Sequence, residues 1–171
     1  MNWCLSDLSI WAQIISALVA AAGFIGLAIQ IHRSRASFRV ELILKLDDRF
    51  NSKDFRQLRI KAVKSILKNN FKDTEEIFDF FETVGLLLRK GTLDKEMVWN
   101  TFFYWIHHYW IIGSEYITDQ RRDDPTTWED FNYLHEQVIK VEKRRTKASD
   151  SELLLSSDDI KEFIKDESIL N

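Results

Sequence analysis

No Asp, Glu, Lys, Arg or His occurs from Leu8 to Ile31, and the polar side chains there are few: Ser9, Gln13, Ser16 and Gln30. A helix of that length rises roughly 36 Å at 1.5 Å per residue, enough to cross a hydrocarbon core of about 30 Å. The pattern therefore predicts a transmembrane helix over residues 8–31, with Trp3 and Trp11 at its amino end, where indole rings favour the headgroup level. Asp7 is the one charge before this run, and Arg33, Arg35 and Arg39 follow it with no acid until Glu41. That order is the reverse of a cleavable signal peptide. The same arginines set the expected topology in a cell inner membrane: residues 1–7 outside, and everything after the span in the cytoplasm.

Beyond the span the apolar positions follow a helical period, and an all-α bundle of about five helices is expected over residues 32–147. Phe38, Leu42, Leu46 and Phe50 recur every four residues and extend the first helix past the membrane. Phe55, Leu58, Ala62 and Ile66 form a second stripe, opposed by Arg56, Lys61, Lys64 and Lys68, a basic face suited to water or to lipid headgroups. Thr74, Glu75 and Glu76 open a third helix whose inner face holds Ile77, Phe80, Phe81, Val84, Leu87 and Leu88, and which Lys90 and Gly91 close. Asp94 is placed to cap a fourth helix, roughly 95–119, with Leu93 and Val98 as its hydrophobic staple. This fourth helix is apolar nearly all round and is the expected centre of the bundle. Asp124 and Pro125, or Thr126 with Glu129, start a fifth helix striped by Trp128, Phe131, Leu134, Val138 and Val141. Residues 148–171 read as an acidic tail, with a short helix near 158–165 and loose packing.

Composition narrows the function classes. One proline and five glycines among 171 residues favour long helices over a turn-rich β fold, and 24 basic against 27 acidic residues leave no positive field to hold nucleic acid. The single cysteine, Cys4, excludes an internal disulfide and a cysteine-based zinc cluster. No phosphate-binding loop, dinucleotide fingerprint or nucleophile elbow occurs, so no catalytic residue and no cofactor are assigned. His107 and His108 are neighbours on a helix and point about 100° apart, which argues against one shared metal. Glu82 and Arg89, seven apart on the third helix, share a face as a structural polar pair directed at the fourth helix. In the span, Ala12, Ser16 and Ala20, and Ala22 with Gly26, form small-residue tracks along which a second helix can approach.

The run Phe81-Glu82-Thr83-Val84-Gly85-Leu86-Leu87-Leu88-Arg89-Lys90-Gly91, followed by Trp99, by Tyr109-Trp110 and by the Arg121-Arg122 pair, resembles the bacterial domain of unknown function 4760 family. The resemblance implies one amino-terminal span and a helical cytoplasmic domain, and carries over no activity. The expected function is a membrane-anchored interaction or scaffold module whose partners are the lipid bilayer and either a further protein or a homo-oligomer. The alternative is an oligomerising membrane sensor or effector in a bacterial stress or defence module. An enzyme comes third, and a polar pocket around His107, His108 or Glu82 would revive it.

Overall fold

The computed structural model describes the backbone of residues 3–169 and the side chains from Ser16 onward, except those of Ala17, Ala20, Ala22, Ile25, Ala28 and His32. Among the described residues every regular element is helical: α1 (Trp3–Phe50), α2 (Lys53–Ile66), a 3-10 turn (Lys72–Thr74), α3 (Glu75–Arg89), α4 (Lys95–Gln120), α5 (Glu129–Thr146) and α6 (Ser157–Ser168). The chain forms two units, Met1–Glu41 and Leu42–Asn171.

In the first unit the described apolar side chains of α1 face outward, Leu18, Val19 and Phe24 among them. Among the described residues no helix is long and apolar enough to cross a membrane. The span expected over 8–31 falls largely on side chains outside the described residues, Ala12, Ala20 and Ala22 included.

The second unit opens with the last turns of α1. Phe38, expected on the inner stripe, falls in the first unit and is 56 % exposed, whereas Ile43, Leu46 and Phe50 of the second are buried. Within the second unit the repeat keeps its period, with Leu46 and Phe50 on the buried face. Phe50 ends α1 among the rings of Phe55, Phe80, Phe81, Phe102 and Trp105, with centroids 5.2 to 5.7 Å away. Each such pair contributes about 0.5–1.5 kcal/mol beyond the area it buries.

The helix ends follow local chemistry. Ser52 caps α2 by accepting from Phe55 N–H at 3.3 Å. Asn69 then takes the left-handed conformation (φ 57°), and Asn70 N–H reaches back to Ser65 C=O. Gly91 does the same after α3 (φ 69°), with Thr92 N–H bonded to Leu87 C=O and Gly91 N–H to Leu88 C=O, so the glycine stop expected there is a full Schellman closure. Asp94 caps α4 by accepting from Glu96 and Met97 N–H at 2.9 and 3.2 Å, and both staple residues, Leu93 and Val98, are buried.

α4 packs on α3, α5 and α6, which accounts for its nearly all-round apolar surface. Two glycines permit close approach. A Cβ on Gly85 would run into the backbone carbonyl of Asp130 on α5, and one on Gly113 of α4 would enter the Phe78 ring.

Two expectations are corrected. α5 begins at Glu129, later than either start signal, because Asp124 instead folds a turn onto Thr126, accepting from its N–H and hydroxyl. Arg121 then holds the carbonyls of Thr127 and Trp128 at 2.8 and 2.7 Å. The carboxyl tail is also packed: α6 opens with a Ser156–Asp159 capping box, and its Phe163 and Glu167 are 0 % and 3 % exposed. An acidic composition hid an amphipathic face.

Candidate functional site

The residues singled out from the sequence fall in different places. Arg33, Arg35 and Arg39 are exposed on α1, as are Ser16 and Gly26, and nothing lies within 4 Å of a Cβ built on Gly26. Glu82 and Arg89 both turn to the amino end of α5 rather than to α4. Glu82 Oε2 accepts from Phe131 N–H at 2.6 Å, and Arg89 bridges Glu129 at 2.8 Å and Asp130 at 2.5 Å. α5 has no side-chain cap of its own, so the Glu82 carboxylate supplies from α3 the acceptor and the negative charge that a helix amino terminus favours. Burial pushes the Glu82 carboxyl up, and the backbone donors of Phe131 and Asp130 pull it back. Glu82→Ala is expected to cost about 1–2 kcal/mol, the usual worth of a cap, and to raise amide hydrogen exchange first in the opening turn of α5.

His107 does not pair with its neighbour His108. Its Nδ1 lies 3.0 Å from His135 Nε2 and its Nε2 lies 2.8 Å from the Leu153 carbonyl. A carbonyl only accepts, so His107 Nε2 carries the hydrogen, and His107 Nδ1 accepts from His135 Nε2–H. The two rings are nearly parallel with centroids 5.3 Å apart, and Trp110 stacks on His135 at 5.2 Å. His108 donates through Nδ1 to Tyr104 C=O at 2.6 Å and stacks on Phe163. Among the described residues no group of three or more His, Cys, Asp or Glu is arranged to hold a metal ion.

Burial lowers all three histidines, His135 to about 3. The unfolded chain takes up a proton on His135 near 6.5, the folded chain only near 3, so the folded state binds fewer protons between those values. Stability is therefore expected to fall as pH drops below about 6.5, by up to about 1.4 kcal/mol per unit for His135 before solvent screening is taken off. Denaturation midpoints at pH 7 and 5 should differ less in His135→Gln than in the unaltered chain.

The most buried polar cluster was not visible in the sequence. Arg59, in the middle of basic helix α2, is 2 % exposed. Its Nε donates to Glu167 Oε2 at 2.7 Å and its Nη2 pairs with Glu167 Oε1. Trp105 Nε1 and Tyr109 Oη donate to the same carboxylate, each at 3.1 Å. The guanidinium lies 4.2 Å from the Phe50 ring centroid and 5.4 Å from that of Trp105. Four donors thus converge on one carboxylate, inside an aromatic box, where an unpaired charge of either sign would be costly. The one signal available was the position of Arg59 one residue after Leu58 on an apolar stripe, where a long basic side chain is ordinarily read as solvated.

An open groove of about 590 Å³ lies elsewhere, lined by Phe71, Ser114, Tyr116, Asp119 and Arg122. Tyr116 stacks on Phe71 and donates to Glu75 at 2.6 Å; burial and that carboxylate push its phenol up to about 12, so at neutral pH it keeps the proton that makes this bond. In the groove the hydroxyls of Ser114 and Thr118 donate to the backbone carbonyls of Ile111 and Ser114 on their own helix.

The architecture is that of a small all-helical protein built on an aromatic core and fastened by buried polar contacts. The chain belongs to the family described as Domain of unknown function (DUF4760), whose model matches residues 9–138. No curated protein and no solved structure matches it.

Proposed function

We propose that the protein is a membrane-anchored interaction module: residues 8–31 of α1 lie in the bilayer, and the helical unit from Leu42 presents its surface to a protein partner or to another copy on the cytoplasmic side. The observation that carries this reading is an uncharged stretch of 24 residues, Leu8 to Ile31, whose described side chains Leu18, Val19, Phe24, Leu27, Ile29 and Ile31 are 47 % to 73 % exposed. Apolar surface on that scale requires lipid or a partner to cover it. Arg33, Arg35 and Arg39, directly after the stretch, support a cytoplasmic location for the helical unit. The polar clusters around Glu82, His107 and Arg59 fasten helices together, which favours a recognition role over chemistry.

The test is extraction of the tagged full-length chain in mild detergent, followed by mass measurement of the intact particle. A stable oligomer or a stoichiometric partner is expected. Recovery of a bare monomer across several detergents counts against the reading.

A second reading, an oligomerising membrane sensor or effector, draws on the small-residue tracks: Ser16 and Gly26 are exposed, and the space beside Gly23 and Gly26 is open to a second helix. Leucine at Ala12, Ser16, Ala20, Ala22 and Gly26 together is expected to lower the oligomer order if that reading holds. An unchanged order removes it.

A further inference from the structure

We infer that the cleft between α2 and α4 is a docking site for an acidic amphipathic helix, filled here by the chain's own α6, and that in trans it takes α6 of a second copy. The division of chemistry between the two sides supports this. Arg59, Trp105 and Tyr109 supply all the donors, and each lies within the part matched by the family model. The acceptor, Glu167, lies beyond that part, on a helix whose packing among the elements is confined to α2 and α4. α6 binds as a ligand does, through two points four residues apart on one face. Phe163 lies against His108, Tyr109 and Tyr104, with centroids 4.6 to 5.7 Å away, and Glu167 enters the four-donor box. Anchors at i and i+4 with a charged outer face are the standard form of helix-in-groove recognition.

The tether also permits exchange. Residues 147–156 carry no helix and are mostly exposed, with Leu154 at 72 %; His107 binds the Leu153 carbonyl, and Lys143 of α5 pairs with the exposed Asp150. Ten residues reach roughly 33–36 Å when extended. Docking in cis and in trans makes identical contacts, so the balance between them depends on how concentrated the copies are. The proposal rests on the anchored reading at this one point, because anchoring copies in a membrane raises that concentration.

Charge reversal tests it in the full-length chain. Arg59→Glu sets two carboxylates against each other in cis, and Glu167→Arg sets two guanidinium groups together. Purified separately in detergent, each variant is expected to be a monomer in which residues 147–156 are cleaved at least about tenfold faster than in the unaltered chain. Mixed, the two restore opposite charges only across copies, so a heterodimer with the segment protected is the expected product. A mixture that remains two fast-cleaved monomers overturns the proposal.

Should either variant fail to fold alone, the full-length Glu167→Gln chain is titrated with a fluorescent peptide of residues 155–171. Saturable binding at least about tenfold tighter than that of the same peptide bearing Glu167→Gln is expected. Equal affinities overturn the proposal. Sedimentation of each variant with membranes is scored separately, so loss of exchange and loss of the anchor remain distinct results.

Discussion

Glu167→Ala is expected to lower the stability of the helical unit by about 3–5 kcal/mol, read as a shift in the urea midpoint of the detergent-solubilised chain. The size follows from what the substitution leaves behind. Arg59, 2 % exposed in the unaltered chain among Phe50, Trp105 and Tyr109, is left with its positive charge uncompensated, and the Trp105 and Tyr109 donors lose their acceptor. Arg59→Met alone is expected to be similarly harmful, since it strands the carboxylate instead. Arg59→Met combined with Glu167→Leu should recover more than half of either loss, because an apolar pair replaces a buried ion pair at little net cost. The two sites are therefore strongly non-additive. Additive effects would mean that the pair is solvated in solution and that α6 is undocked for much of the time.

Gly85→Ala is the second large effect. α3 and α5 make the most extensive helix contact of the unit, and at Gly85 the added methyl would meet the Asp130 carbonyl, a backbone atom that cannot rotate away. The helices must separate, which also pulls Phe131 N–H from Glu82 and Arg89 from Asp130. A loss of about 3 kcal/mol or more is expected, at the upper end for overpacking, with unfolding becoming less cooperative. Gly113→Ala should cost less, because the obstacle there is the Phe78 side chain, which can shift. A Gly85→Ala variant as stable as the unaltered chain would contradict the close α3–α5 contact.

Much of this fold is written locally. The Asp94 cap, the Gly91 stop and the inner face of α3 depend on residues within one or two turns of each other, and the structure has each where the pattern puts it. The features that escaped the sequence depend on residues far apart. Glu82 caps a helix 49 positions away, His107 finds His135 rather than His108, and Arg59 finds Glu167 across 108 residues. Such pairings carry no periodic signature, so Arg59 reads as one more exposed base on a basic helix and the tail as loose acidic chain. The late start of α5 is a local competition instead: Asp124 folds a turn onto Thr126 and Arg121 holds the carbonyls of Thr127 and Trp128, so the start signals there are used for a turn. In the candidate site the aromatic lining was legible from the fourth-helix pattern, and the polar contents were not.

The membrane reading is tested most directly by fractionation of cells that make the full-length chain, with the membranes washed in alkaline carbonate. The account predicts that the chain stays in the washed membrane pellet, and that arginine at both Leu18 and Phe24 releases it, since two charges in mid-span are costly in lipid. An unaltered chain found in the supernatant would contradict it.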